Sequence, residues 1–364
     1  MPPLIPGFEF LQKLGEGGMS TVWKATELGT GKLVAIKVLN PELTTNPEDL
    51  ALFQAEARVL STINHPGIVK SYDLSCFEGL WYFTMEYVDG YTFGALLTRK
   101  QHLSEADCLL ICESVAVALD YAWNEFGIVH CDLKPENIMI NTDGVIKVMD
   151  LGLCHTFAYL KDGRQDVPDQ VMGTPAYISP EQVYGDLEPD CRSDIYSLAA
   201  SIYHLATGRM LFPGLDSEGM MRAHCSETTQ ARDPRCYRPQ LSEGFCQLLD
   251  AMLVKNRDSR IASWKDIYTM CLDIEHGIAF KPRSGAPSSL ALMTATGGNA
   301  AMNSPRFSTV PEPKKRVLKL HRERSAKAVS HLDAASGKII VAKHKPAGKG
   351  FKFHKPAEWY QDAY

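Results

Sequence analysis

Nine consecutive residues, Val129-His130-Cys131-Asp132-Leu133-Lys134-Pro135-Glu136-Asn137, bring an aspartate, a lysine and an asparagine close together, and Ile146-Lys147-Val148-Met149-Asp150-Leu151-Gly152 adds a second aspartate. Concentrated between strand-like stretches, these groups are what phosphoryl transfer requires. One carboxylate can accept a hydroxyl proton, and the other can hold magnesium together with the amide oxygen. Two further signals lie upstream. Gly15-Glu16-Gly17-Gly18-Met19-Ser20-Thr21-Val22 offers glycines where backbone amides can approach a polyphosphate with no Cβ in the way. Taken alone it reads as a plain hairpin. Ser20 stands where a dinucleotide loop has its third glycine, and no helix follows as that loop requires. Val34-Ala35-Ile36-Lys37 sets an ammonium in an otherwise apolar strand, where it is costly unless paired. Glu56 is the candidate partner, with an ordinary surface salt bridge as the plainer alternative.

For these groups to meet, the elements carrying them must fold back on one another. Period-two patterning with turn residues between the runs predicts strands over 9–14, around 21–25, over 33–39 and over 81–88. Apolar residues at helical spacing predict a helix over 48–63, and then helices at 104–126, 194–208, 242–255 and 264–276. A small β-led lobe therefore precedes a larger helical one.

At these residues the sequence resembles the eukaryotic-type, or Hanks-type, protein kinase family, over about residues 8–276 and in the family's order. Gly173-Thr174-Pro175-Ala176-Tyr177-Ile178-Ser179-Pro180-Glu181 resembles the end of the activation loop. Asp194 in Ser-Asp-Ile-Tyr-Ser-Leu and Arg260 in Arg-Asp-Ser-Arg add to the match, Arg260 at the position that pairs with Glu181. Asp-Leu-Lys-Pro-Glu-Asn is similar to the serine/threonine branch, and Gly-Glu-Gly-Gly-Met-Ser-Thr-Val-Trp-Lys-Ala to bacterial members.

The resemblance implies an α+β, two-lobed protein kinase fold with a flexible C-terminal extension. It also implies transfer of the γ-phosphoryl group of Mg-ATP to protein serine or threonine hydroxyls. By the same resemblance Leu14, Gly15, Gly17 and Val22 cover ATP, Ala35 and Met139 sandwich the adenine, Met85 guards the rear of the pocket, and Glu86 and Val88 offer backbone hydrogen bonds. Lys37 neutralises the α- and β-phosphates and Glu56 orients it. Asp132 accepts the hydroxyl proton, Lys134 steadies the γ-phosphate, Thr174 contacts Asp132 and Lys134, and Asn137 with Asp150 holds two magnesium ions. The rival reading is a pseudokinase scaffold that binds partners without catalysis.

Three positions depart from the family pattern. Ser20 replaces the third loop glycine, and the two glycines of closest approach remain. Leu151 replaces the phenylalanine that follows the metal-binding aspartate, an apolar exchange that keeps a packing contact. Cys131 replaces the arginine before the catalytic aspartate. That removes a cation, so activation driven by loop phosphorylation is not expected. Between Asp150 and Gly173 the only serine or threonine is Thr156.

The chain has 364 residues, 45% hydrophobic and 22% charged, which excludes wholesale disorder, collagen-like repeats and coiled coil. The longest charge-free run, 284–305, is too rich in serine, glycine and proline to span a membrane. The N-terminus lacks the pattern of a secretory signal, so a cytoplasmic location is expected. Ten cysteines, without zinc spacing, are expected as reduced thiols; Cys108 and Cys112 read as core packing. Residues 1–276 carry 22 Lys and Arg against 38 Asp and Glu, whereas 277–364 carry 16 against 5. With the composition, this sets a kinase domain at 8–276, a flexible linker at 277–313 and a basic, mostly disordered tail at 314–364, with one short strand around 337–343. The tail is expected to remain solvated or to dock on the acidic body, where Arg322-Glu323-Arg324-Ser325 could enter the substrate groove. Nucleic acid or anionic membrane is the lesser expectation, because aromatics are sparse until Phe351, Phe353, Trp359 and Tyr360.

Overall fold

A computed structural model describes residues 2–151, 173–186 and 189–278, together with two short strands at 330–332 and 339–341. Three N-terminal strands, β1 (Phe8–Glu16), β2 (Ser20–Glu27) and β3 (Leu33–Leu39), lead into helix α1 (Pro47–Thr62) and then strands β4 (Ser71–Phe77) and β5 (Leu80–Glu86). They form one antiparallel sheet in the order β1-β2-β3-β5-β4. The period of two along a strand assigns each face. Val34, Ile36 and Val38 join Ile5, Ala25 and Tyr82 in a cluster on one side, while Ala35 and Leu39 join Phe83, Met85 and α1's Phe53, Ala57 and Leu60 on the other. Lys37 shares the face of Ala35 and is thereby turned towards α1.

A three-stranded sheet follows, β6 (Gly90–Thr92), β7 (Ile138–Asn141) and β8 (Ile146–Val148), in that order. The helical lobe holds α2 (Phe93–Lys100), α3 (Glu105–Phe126), α4 (Pro180–Val183), α5 (Cys191–Thr207), α6 (Ser217–Cys225), α7 (Glu243–Met252) and α8 (Trp264–Glu275). Helices α3 and α5 form its centre, with Ile111, Val115, Ala118 and Leu119 of one and Ile195, Leu198, Ala199 and Leu205 of the other almost wholly buried. Side-chain oxygens of Ser104, Asp190, Ser242 and Ser263 accept the first free amides of α3, α5, α7 and α8, each cap contributing about 1 kcal/mol. After α5 the chain turns at Gly208, φ 71°, where a Cβ would lie 2.3 Å from the Gln101 carbonyl, so no other residue fits.

The expected two-lobed α+β kinase fold is therefore the fold observed, and all four predicted strands and five predicted helices are present within a few residues of their predicted ends. Sequence patterning set no bounds for β4, β6, β7, β8, α2, α4 and α6. Strand β4 alternates poorly, because it is an edge strand with Tyr72 and Asp73 exposed. The short α2, α4 and α6 offer too few turns for a helical period to stand out. Strand β10 (Ile339–Val341) falls within the predicted 337–343 and pairs with β9 (Ser330–Leu332). The remainder of the linker and tail, including the 322–325 segment, lies outside the described residues, as do Gly152, Cys154 and Thr156.

Among the described residues eight cysteines are free thiols, Cys108 and Cys112 among them in the core. Cys131 is disulfide-bonded, which overturns the expectation of a reduced thiol at that position. Among the described residues no helix is long and apolar enough to cross a membrane.

Candidate active site

The loop between β1 and β2 is closed by the Gly17 amide donating to the Ser20 carbonyl at 2.8 Å. A Cβ built at Gly15 or Gly18 would meet nothing within 4 Å, and one at Gly17 only the Ser20 oxygen at 3.7 Å. Internal packing thus makes no demand for glycine here, and the loop's free side is open to a group from outside. Below it, Val22 is in register with Lys37 and Ala35 with Met85. Ala35, Met85 and Val88 are buried, Met139 packs half-buried against the same core, and Leu14 is exposed at the mouth. Glu86 closes β5, and its amide donates to the Lys70 carbonyl at 2.8 Å.

Lys37 Nζ donates to Glu56 Oε1 at 2.5 Å and lies 3.5 Å from Asp150 Oδ1. Burial by itself would discharge this lysine, but the Glu56 and Asp150 carboxylates outweigh burial and hold its pKa above the ordinary value. Glu56 is likewise half-buried, and this desolvation lifts its carboxyl above the usual range against the pull of Lys37, with Asp150 adding to the lift. The β3 strand and α1 therefore meet at one half-buried charge pair rather than at an exposed salt bridge.

The loop after α3 is held from beneath. Asp194, near the start of α5, accepts the backbone amides of His130 at 2.6 Å and Cys131 at 2.8 Å. Burial pushes the Asp194 carboxyl up to about 6, against the pull of the two amides. His130 Nε2 donates to the Met149 carbonyl at 3.0 Å and its Nδ1 accepts the Asp132 amide at 3.3 Å, a tautomer assigned from these two partners. Asp132 then stands at the centre of a side-chain cluster. Lys134 Nζ donates to its Oδ2 at 2.5 Å, Thr174 Oγ1 to its Oδ1 at 2.6 Å, and Asn137 Nδ2 to its Oδ2 at 3.3 Å and its backbone carbonyl at 2.9 Å. Lys134 Nζ also donates to Thr174 Oγ1 at 2.8 Å.

Asn137 is tied to the segment carrying Asp150, because the Met149 amide donates to the Asn137 carbonyl at 3.0 Å. With Nδ2 engaged by Asp132, the Asn137 side chain offers its oxygen as an acceptor. That oxygen and the partly exposed Asp150 carboxylate are the hard donors a magnesium ion takes, and it completes its shell with phosphate and water. The residues fit the ion. Leu151, the replacement for phenylalanine, is completely buried and keeps its place in the core.

Glu181 and Arg260 meet as expected, Arg260 Nη1 and Nη2 donating to the two carboxylate oxygens at 2.7 and 3.0 Å, with Ser193 Oγ donating to Glu181 at 2.7 Å. Burial lifts the Glu181 carboxyl, but the Arg260 hydrogen bonds and charge win and hold it below its ordinary value.

A model of the protein kinase domain matches residues 8–271. The chain belongs to the protein kinase family. It is 34% identical over 290 residues to the probable serine/threonine-protein kinase PknB of Bifidobacterium longum, covering 76% of this chain and 41% of that protein. With the serine/threonine-protein kinase pkn3 of Myxococcus xanthus it shares 35% over 260 residues, 69% of this chain and 46% of the relative. With PknB of Mycobacterium tuberculosis it shares 32% over 338 residues, 88% and 51%. The chain thus spans about half the length, or less, of these curated relatives. The Mycobacterium tuberculosis PknI kinase domain superposes with a TM-score of 0.56 at 24% identity, covering 74% of this chain and 97% of that domain, which supports the fold. The family is one of ATP-dependent phosphotransferases, and the relatives named here are bacterial serine/threonine kinases.

Two side chains of this kinase domain escaped sequence reasoning. Lys147 on β8 is buried and donates to Glu86 Oε2 at 3.0 Å, tying the end of β5 to the strand that leads to Asp150. Gln182 donates through Nε2 to the Cys131 carbonyl at 2.7 Å. A lysine inside Ile-Lys-Val is the signal that could have pointed to the first, and the helix-start pattern Ser-x-x-Gln to the second.

Proposed function

We propose that this chain transfers the γ-phosphoryl group of Mg-ATP to serine or threonine of protein substrates, and that it does so without phosphorylation of its activation loop. The observation that carries the reading is the Asp132 carboxylate held jointly by Lys134 and Thr174. When bound, Mg-ATP supplies the phosphoryl group and a charge-neutralised leaving diphosphate. Asp132 takes the hydroxyl proton of the incoming serine or threonine, and Lys134 donates to the oxygens of the group in transfer. Lys37, kept charged by Glu56, neutralises the remaining phosphates. Asn137 and Asp150 hold the metal, for which we propose two ions. Leu14, Gly15, Gly17, Val22, Ala35, Met85, Glu86, Val88 and Met139 form the nucleotide site.

Independence from loop phosphorylation follows from Cys131. A loop phosphate is ordered by charge-assisted pairing with a cation, and a sulfur at this position supplies none. The loop that carries Asp132 is held from the α5 side by Asp194. We place the domain boundaries at 8–276, 277–313 and 314–364 and the protein in the cytoplasm, with the basic tail either solvated or docked on the acidic kinase body, and nucleic acid or anionic membrane as lesser partners.

Transfer of radiolabel from ATP to a generic basic protein, absent in Asp132→Ala, tests the activity. No transfer with magnesium-loaded protein would leave the scaffold reading. Phosphatase-treated protein and Thr156→Ala should match untreated enzyme. A large drop in either, restored by autophosphorylation, would show that another cation replaces the missing arginine.

A further inference from the structure

We infer that Gln182 is a positioning residue for the catalytic aspartate: its amide fixes the peptide joining Cys131 to Asp132 and couples that peptide to the 173–182 segment. Cys131 has φ 63°, a left-handed conformation that a non-glycine residue keeps only when its surroundings hold it. Its own amide is held by Asp194 and the next amide, that of Asp132, by His130. The carbonyl between them accepts from Gln182, whose Nε2 donates at 2.7 Å. Gly173 packs against the same carbonyl, where a Cβ would approach to 3.3 Å. Because that carbonyl belongs to the peptide leading into Asp132, a rotation there swings the carboxylate away from Lys134 and Thr174.

The other end of the Gln182 amide faces its own helix start. Oε1 accepts the Ser179 amide at 3.2 Å and the hydroxyl of completely buried Ser179 at 2.9 Å. One amide therefore joins the start of α4 to the catalytic loop, its orientation assigned because a carbonyl accepts and an N–H donates. A helix start of this kind is served equally well by glutamate or glutamine. Only glutamine can also donate to the Cys131 carbonyl at neutral pH, and this asymmetry makes the role separable from helix capping.

The test is Gln182→Glu, which keeps the acceptor half and removes the donor half, with the apolar, similarly sized Gln182→Met as second variant. The first readout is hydrogen exchange. Amides of 128–138 should exchange roughly fivefold faster in both variants, the loss of about one hydrogen bond, while those of α8 keep wild-type rates. The second readout rests on the kinase activity proposed above. In Gln182→Glu, kcat should fall about 10- to 100-fold, as a small misplacement of a catalytic group does, with KM for Mg-ATP and peptide unchanged. It should recover relative to wild type as pH drops and the new carboxyl gains a proton to donate. Wild-type exchange at 128–138, or equal loss of protection throughout the helical lobe in both variants, overturns the inference. So does an unchanged kcat or a raised KM alone. If wild-type protein transfers no phosphate, the activity reading fails and exchange at 128–138 still decides the role of Gln182.

Discussion

Thr174 donates its hydroxyl to Oδ1 of Asp132 at 2.6 Å, joining the segment that leads into α4 to the loop before β7. The same hydroxyl accepts from Lys134 at 2.8 Å, so three side chains close a ring. Thr174→Val keeps the shape and removes both hydrogen bonds. It is expected to lower kcat by about 10- to 100-fold, whereas Thr174→Ser retains most of the activity. Steady-state kinetics on a peptide substrate checks this, and a serine variant as poor as the valine one would show that the methyl group matters more than the hydroxyl.

Arg260 has its guanidinium buried against Glu181, and Ser193 donates to the same carboxylate oxygen as Arg260 Nη1. Removing one partner leaves an uncompensated charge in a dry site. Arg260→Met should therefore destabilise the domain by about 3–5 kcal/mol. Adding Glu181→Gln to it should restore part of that loss. Urea unfolding of the three proteins decides the matter.

The pH dependence of stability has a sign that burial sets. His224 is completely buried, and desolvation, with Lys255 adding, lowers its pKa to about 4. Its unfolded form takes up a proton first as pH falls, so stability drops from about pH 6.5 down through about 4, on the order of 3 kcal/mol in all. His65, lowered to about 4 by burial and Lys147, acts with the same sign. Asp194 opposes them, since burial raises it to about 6 and the native state protonates first, adding stability as pH falls through 6. His224→Gln should flatten the acid loss, as urea melts at pH 7, 6 and 5 would show. An unchanged slope would assign the loss elsewhere.

A chain ending at residue 278 should fold and keep the melting temperature of the full chain. Helix α8 is closed by its own last turn, where Gly277 and Ile278 donate to the Ile274 and Asp273 carbonyls at 3.0 and 2.9 Å. Trp264, Ile267 and Cys271 already bury its inner face. Calorimetry on both proteins checks this, and a lower midpoint for the shorter one would mean that residues beyond 278 supply part of the core.

Local patterns were easy to read wherever one face of an element is buried. Strand β3 and helices α3 and α8 declare themselves because their apolar residues repeat at the element's own period, and β4 does not because an edge strand alternates weakly. Of the site, Lys37, Glu56, Asp132, Lys134, Asn137, Asp150 and Thr174 stood out through residue type and order. Lys147 and Gln182 did not, since each acts on a partner 51 or more positions away and lies outside the motifs that carry the chemistry.

The sequence by itself determined the lobes and the family and marked the candidate reacting groups, because periodicity and ordered motifs are properties of the chain. It also determined that no cation precedes Asp132. Only the tertiary structure decided that Lys37 and Glu56 form a half-buried pair rather than an exposed one, that Asp194 reaches the loop amides from beneath, and that Gln182 faces the Cys131 carbonyl. Those are matters of distance and desolvation between residues far apart in sequence, and a hydrogen bond or ion pair takes its strength from the burial that folding alone creates.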